Sequence, residues 1–353
     1  MNILIPNAAN PGNLGDMAIL DVLLARLRSR KNTIMIHCFT PKEQKKEMLS
    51  KPCLYYWAAF QKRDMMHRLM RTFMLAIGLL LPESFEKILP RDLRIILSDY
   101  KTANHIVLQG GGYFRSQRGL RQQINAVMNA IFILFAKKYK KTVTIRPMSF
   151  GPFSNTYTEW LCGTLIGLAD TIYIRDGVSY DLLAKYIPAA KIKRAPDDAL
   201  SLKPVKVKKH SQRTLGFTIR EWVNIKDREI FLSRFADFIH RTAEDQRCSI
   251  IQPIIQADLP EYGEGDRLIT ARLVKLLEGK GLRITRQRCP KTVNQALASY
   301  GKLSYLIGMR MHSCIFAHVQ GIPFTAIAYE HKHSLLKTTK NQVKSLAALG
   351  TKV

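Results

Sequence analysis

Short apolar runs, each closed by a polar or glycine-rich turn and followed by a helical stretch with one apolar face, recur along the 353 residues. The first run is Asn2–Pro6. The turn NPGNLGDM follows, and then a helix with Ala18, Ile19, Val22, Leu23 and Leu27 spaced for burial on one side. Further strands are expected at 33–38, 105–109, 142–149 and 171–175, and a long helix at 123–141. Strands that alternate with helices in this way build βαβ units and a parallel sheet. The stretch KPVKVKKHSQ is basic and lacks an apolar face, and after it the alternation restarts. Strands are expected at 214–220, 249–255, 282–285 and 304–310 and a last one from Phe324, with helices at 227–243, 267–277 and 293–300 and a short one from Ser313. The expected fold is therefore α/β with two doubly wound Rossmann-like domains, residues 1–203 and 213–353, joined by a basic linker at 204–212. Strand ends would face an interdomain cleft, where ligands bind in such sheets.

Charge narrows the partners. Lys and Arg number 55 against 27 Asp and Glu, a formal net charge of +28. Such a surplus attracts anions: a phosphorylated small molecule, an acidic glycan, a membrane surface or nucleic acid. No helix-turn-helix, ribonucleoprotein motif or zinc finger accompanies it, so no specific nucleic-acid partner is expected. Cys38, Cys53, Cys162, Cys248, Cys289 and Cys314 lie far apart without C-x-x-C spacing, which suggests neither a metal site nor a disulfide framework. There is no leader pattern, and the longest apolar stretch, Phe73–Leu81, falls short of the about 20 residues that span a bilayer. The reading is a cytoplasmic protein. Residues 62–81 are basic at one end and apolar at the other, with Met66, Met70 and Met74 one helical turn apart. They read as a domain helix with a basic solvated face, or as a helix lying on an anionic membrane.

Four turns carry candidate chemistry. In the first, Asp16 stands at an N-cap position and Gly12 and Gly15 allow close approach to the main chain; the turn is neither a Walker loop nor a G-x-G-x-x-G. In the second, QGGGYF, Gly110, Gly111 and Gly112 bring bare backbone to the sheet edge, with Tyr113 and Phe114 beside them, either to flank a sugar ring or as core aromatics under a loop. The third, in IGMRMHSCIFAHVQG, delivers Arg310 and His312 to a strand end just ahead of a helix; at i and i+2 on a strand they would point the same way. A guanidinium, an imidazole and a helix N-terminus together suit a phosphate or carboxylate. His318 reads as a packing residue, and His331 and His333 as solvated. The fourth is Arg220, at the end of GFTIR, which taken alone reads as a surface arginine paired with Glu221 or another acid.

NPGNLGDMAI, LQGGGYF, SFGPF, YIRDGVSYDLL, PDDAL, GFTIR and IGMRMHSCIFAHVQGIPFTAIAYEHK, in that order over about residues 1–332, resemble the polysaccharide pyruvyl transferase family. The resemblance implies a GT-B-like fold and an enzyme that uses phosphoenolpyruvate to place a pyruvate ketal on two hydroxyls of a sugar in a surface polysaccharide or its lipid-linked precursor. It implies that Arg220, Arg310 and Ser313 bind phosphoenolpyruvate and that Asn13, Gly15, Gly110, Gly111, Gly112 and Tyr113 face the acceptor, the opening turn standing on the N-domain side. Ketal formation needs an acid/base, for which His312 is suited, and a proton donor to the enol carbon, for which Asp16 is a candidate. Phosphoenolpyruvate is a co-substrate; no other cofactor and no metal is implied. A lipid-linked acceptor would bring the protein to the inner membrane face. One departure is RPMSFGP, where Arg146 precedes the GP turn and would add charge there or alter the fit of the acceptor. The rival reading is a GT-B glycosyltransferase that uses a nucleotide sugar, with Glu330 holding the ribose.

Overall fold

Ile3, Leu4 and Ile5 are wholly shielded from solvent, as the strand of a sheet covered on both faces must be. They belong to β1 (Asn2–Ala8), the start of a computed structural model that describes residues 1–8, 12–38, 50–54, 65–116, 119–209, 211–221, 227–259, 264–329 and 341–345. Residues 62–64 of the basic end read above, and Glu330, His331 and His333, lie outside the described residues. By its contacts the chain forms two units: Met1–Pro11 with Ile19–Asp198, and Gly12–Ala18 with Ala199–Val353. Each has its own apolar core.

The first unit continues through α1 (Leu14–Leu27), β2 (Thr33–Cys38), β3 (Ser50–Pro52), α2 (Met65–Leu80), a 3-10 turn (Glu83–Ile88), α3 (Arg91–Thr102), β4 (His105–Leu108), β5 (Gly111–Phe114), α4 (Leu120–Met128), α5 (Ile131–Lys138), β6 (Thr142–Phe150), α6 (Thr156–Ile166), β7 (Thr171–Ile174), α7 (Gly177–Leu183) and β8 (Ile192–Arg194). The strands run in the order β3-β2-β1-β4-β6-β7-β8 and pair in parallel; β5 joins the far half of β6. Strand order reverses between β1 and β4, the mark of a doubly wound sheet.

Three details differ from the sequence reading. The helix expected at 123–141 is two helices, α4 and α5, broken at Asn129, whose Nδ2 donates to Tyr113 O at 3.0 Å. Gly111–Phe114 is a strand rather than a turn, with Gly111 paired to Met148 and Phe114 to Phe150. The short, polar or basic strands β3 and β8 carry too little apolar pattern to announce themselves.

In the second unit come β9 (Thr214–Thr218), α8 (Arg228–Asp245), β10 (Ile250–Pro253), the small antiparallel pair β11 (Asp258–Leu259) and β12 (Glu264–Gly265), α9 (Arg267–Glu278), α10 (Val293–Gly301), β13 (Tyr305–Gly308), α11 (Met311–Val319), β14 (Phe324–Ala328) and β15 (Gln342–Ser345). Its sheet is parallel in the order β10-β9-β13-β14-β15, and the direction of winding changes between β9 and β13. The strand expected at 282–285 is reduced to isolated bridges, Ile251 with Ile284 and Ile254 with Arg288. The arginines that interrupt it (283, 286 and 288) do not make a buried strand. Phe324–Ala328 is not last, because β15 pairs beside it. Residues 203–209 of the basic stretch have no regular structure but are strapped down: Val205 donates its N–H to Gln320 Oε1 at 2.9 Å and accepts from Gln320 Nε2 at 3.1 Å.

Candidate active site

Arg220 leaves the carboxyl end of β9, Arg310 that of β13 and Tyr329 that of β14, three adjacent strands. The two arginines therefore flank the point where the winding of the second sheet reverses, the position at which open α/β sheets take ligands. Both are buried. A buried guanidinium is costly unless its hydrogen bonds are met, so its partners define its role.

Arg310 is held by Asp266. Its Nε lies 3.2 Å from each carboxylate oxygen and its Nη2 lies 2.6 Å from Oδ1. This fork geometry fixes the plane of the guanidinium. Asp266 is itself buried at the start of α9, and its Oδ2 also accepts the Ala257 N–H at 3.0 Å. Burial pushes this carboxyl group up; Arg310, the Ala257 N–H and the charge of Arg220 act against that. Arg220 thus lies within electrostatic reach of the carboxylate that Arg310 grips. Two guanidiniums and one carboxylate leave a net positive charge.

From Ala257 the connections run on to the opening turn. Ala257 bridges to Asn13, Leu14 donates its N–H to Gln256 O at 3.3 Å, and Asp258 donates to Gly12 O at 2.9 Å. Asn13 Oδ1 accepts the Gly15 N–H at 3.1 Å, and Asn13 Nδ2 donates to Asp16 Oδ2 at 2.9 Å. Asn13, not Asp16, thus occupies the capping position of α1; Asp16 is a carboxylate in its first turn. Against Gly15 lies His312: a methyl carbon built on Gly15 would fall 2.2 Å from Nδ1. A closed circuit results: Arg310, Asp266, Ala257, Asn13, Gly15 and His312. The turn was expected on the N-terminal side, but its contacts place it in the second unit.

His312 and Arg310 do not converge by strand alternation, because β13 ends at Gly308. Arg310 is the N-cap residue of α11, with extended backbone, and His312 sits in the helix's first turn, half-buried. The positive end of α11 therefore adds to the same region. Ser313 faces inward: its hydroxyl donates to Arg310 O at 2.6 Å and lies 2.8 Å from Thr218 Oγ1, and its N–H bonds Arg310 O at 3.0 Å. It shapes the turn that presents Arg310. Arg220 is no surface residue paired with Glu221. Its Nη1 donates to Tyr329 OH at 3.0 Å and its guanidinium carbon lies 5.1 Å from that ring.

The glycine strand belongs to the first unit, and its glycines answer to packing. A Cβ on Gly110 would lie 2.2 Å from Pro147 O, and Gly111 has φ +144°. Gly112 is the least constrained; a Cβ there would lie 3.7 Å from Arg175 Nη2. Tyr113 donates its hydroxyl to Gln109 O at 2.9 Å, and Asn7 braces Gln109, accepting its N–H at 2.8 Å. Arg146 does not reach out as an extra charge, being locked on Asp198 at 2.6 and 3.0 Å and over the Tyr173 ring.

Asp266 and Tyr329 were not singled out from the sequence. Asp266 stands just ahead of an apolar-periodic helix, where an aspartate is ordinary capping chemistry. Tyr329 falls at the end of a strand with no polar neighbour pattern to distinguish it.

The chain is similar in structure to the UDP-GlcNAc 2-epimerase of Methanocaldococcus jannaschii, at 12% identity and a TM-score of 0.57 over 99% of this chain and 90% of that one. It is similar to the UDP-GlcNAc 2-epimerase of Neisseria meningitidis bound to UDP-GlcNAc, at 10% identity and 0.53 over 99% and 89%. It is also similar to the HepE protein of Anabaena in complex with UDP and glucose, at 10% identity and 0.54 over 98% and 86%. At such identity the likeness shows the fold, two parallel-sheet α/β domains of the GT-B kind. The family model described as polysaccharide pyruvyl transferase matches residues 13–331, a span that holds Asn13, Gly15, Arg220, Asp266, Arg310, His312 and Tyr329. The chain belongs to the polysaccharide pyruvyl transferase family.

Proposed function

We propose that the protein transfers the enolpyruvyl carbons of phosphoenolpyruvate to a sugar of a cell-surface polysaccharide or its lipid-linked precursor, forming a pyruvate ketal. The observation that supports this most is the placing of Arg220 and Arg310 at the ends of adjacent strands across the reversal of the second sheet, with His312 in the first turn of the next helix. Phosphoenolpyruvate carries a carboxylate and a phosphate on neighbouring carbons, and two planar guanidiniums suit such a pair. In the proposed reaction the methylene carbon takes up a proton and becomes a methyl group. One sugar hydroxyl attacks C2 and the C2–O bond to phosphate breaks. The second hydroxyl then attacks C2 to close the ketal. Of the two hydroxyl protons released, one replaces that delivered to the methylene and the other leaves with phosphate. His312 carries a proton from acceptor hydroxyl to departing phosphate, the general acid–base task that histidine most often performs. Asp16, one residue from the glycine under His312, protonates the methylene carbon. The acceptor meets Asn13 and Gly15, in the turn that carries His312's neighbour.

The test is thermal stabilisation by phosphoenolpyruvate against nucleotide sugars. A ligand at 100 times its dissociation constant adds about 2.7 kcal/mol. Stabilisation by phosphoenolpyruvate is expected in the wild type and is lost in Arg220→Lys, which keeps the charge and removes the fork. Stabilisation by UDP-sugars alone would instead establish the glycosyltransferase reading, for which the solved structure of HepE with UDP and glucose is the precedent in fold.

A further inference from the structure

The helix α2 (Met65–Leu80) turns an apolar stripe away from the core. Met66, Met70, Phe73 and Leu80 are between 47% and 82% exposed. At 100° per residue they fall within an arc of about 80°, opposite the buried Leu75. Phe85 and Ile88 on the following 3-10 turn are exposed as well, one turn apart and so on one edge. Single exposed apolar residues are commonplace, but six within 23 positions of one helix–turn segment form a face.

This face is held rigidly from behind. Lys138 donates its Nζ to Gly78 O and, at 3.0 Å, to Leu81 O, capping the carboxyl end of α2 with a positive charge. Leu89 packs on the bare Gly78, where a Cβ would lie 3.1 Å from its Cδ1. Glu86 points inward to Lys101, Lys138 and Tyr139. Of the turn's two acids Glu86 is thereby withdrawn and Glu83, which stays exposed, pairs with Lys101 at 3.4 Å, while Lys87, Arg91 and Arg94 are exposed at the surface.

An apolar stripe beside cations fits one partner chemistry, the surface of an anionic lipid bilayer. With 16 residues α2 cannot span a membrane, and no helix among the described residues is long and apolar enough to do so. It can lie in the interface, with Phe73 and Leu80 among the acyl chains and the cations at the headgroups. A second copy of the chain is the poorer occupant, because it would set Lys87, Arg91 and Arg94 against their own kind on a protein of net charge +28. We propose that the α2 face of the first unit docks on an anionic membrane surface. This goes beyond the catalytic reading, whose arginines and histidine belong to the second unit.

The test is flotation of the full chain with vesicles of phosphatidylcholine alone, and of phosphatidylcholine and phosphatidylglycerol in equal parts. Binding is expected to the anionic vesicles only, weakening as salt rises. It should fall at least about tenfold in Phe73→Ser/Leu80→Ser, and by a similar factor in Lys87→Glu/Arg91→Glu/Arg94→Glu. Stabilisation by phosphoenolpyruvate should persist in both variants, which shows that they fold. No flotation of the wild type overturns the proposal, without recourse to any variant. Equal flotation of Phe73→Ser/Leu80→Ser overturns it as well. So does self-association in the absence of vesicles that the same variant abolishes, which would make the occupant a second copy.

Discussion

Replacing Gly15 with alanine places a methyl carbon 2.2 Å from His312 Nδ1, 2.4 Å from Cγ and 2.8 Å from Cβ. Carbon meets its neighbours comfortably at about 3.5–4.0 Å, so the imidazole must retreat by more than about 1 Å. Rotation about the side-chain bonds relieves the ring contacts but not the one to Cβ, which moves only with the backbone of α11. The opposing backbone is no freer, since the Gly15 N–H is tied to Asn13 Oδ1 and the Leu14 N–H to Gln256 O. Overpacking of this kind costs about 1–3 kcal/mol, and displacing a catalytic group by about 1 Å costs on the order of 100-fold in rate. Gly15→Ala should therefore lower kcat for phosphate release from phosphoenolpyruvate about 100-fold, with a drop in Tm of a few degrees. Stabilisation by phosphoenolpyruvate should persist, because Arg220 and Arg310 are untouched. In a His312→Ala background most of the stability penalty should vanish, since the two shortest contacts, at 2.2 and 2.4 Å, go with the ring. A Gly15→Ala enzyme with kcat within a factor of about three of wild type, or an undiminished stability penalty without the ring, would refute the reasoning.

Three further outcomes are expected. Asp266→Ala strands the buried Arg310 and should cost about 3–5 kcal/mol in urea unfolding. Tyr329→Phe removes the hydroxyl that accepts from Arg220 and keeps the ring; it should raise the KM for phosphoenolpyruvate several-fold with little change in kcat, while Tyr329→Leu should raise it further. For Glu86, burial alone would raise the carboxyl, but the hydrogen bonds from Lys101, Tyr139 and Lys138 outweigh it and hold the group below its ordinary 4.5. A carboxyl depressed in the folded state stabilises above its unfolded value and loses that contribution as pH falls through the folded one. Glu86→Gln should therefore melt lower than wild type at pH 7, with the gap closing in melts taken progressively below pH about 4.

The alternation of apolar runs and turns was enough to read two parallel-sheet units, because a strand covered on both faces cannot avoid being a continuous apolar run. Where a strand is short and polar, as at Ser50–Pro52, Ile192–Arg194 and Gln342–Ser345, its place is set by a neighbour already in the sheet and the local sequence is mute. In the site, Arg310 and His312 stood out by type and by their place just after a strand, whereas Arg220 alone read as a surface arginine and was marked only by the family resemblance. Their supports did not stand out. Asp266 looks like any helix cap, and its second task depends on Arg310, which lies 44 positions along the chain. Gly15 is visible as a glycine, but its reason is a ring 297 residues away, a contact no local pattern contains. For the glycine strand both readings were open, and the carbonyl of Pro147 beside Gly110 and the positive φ of Gly111 give structural reasons for glycine that the local pattern does not contain.

The grouping of Gly12–Ala18 with the second unit has a consequence for synthesis. This segment leaves the ribosome long before the residues that receive it, His312 and the Ala257 main chain, which lie more than 240 residues further along. At roughly 5–20 residues per second it waits for tens of seconds before its partners exist. Through that interval the first unit can assemble its core while the beginning of α1 stays open, and the second unit closes only by recapturing a segment made long before it. A fragment beginning at Ala199 would therefore lack a piece of its own interior, and a peptide carrying residues 12–18 supplied separately is the natural complement to it.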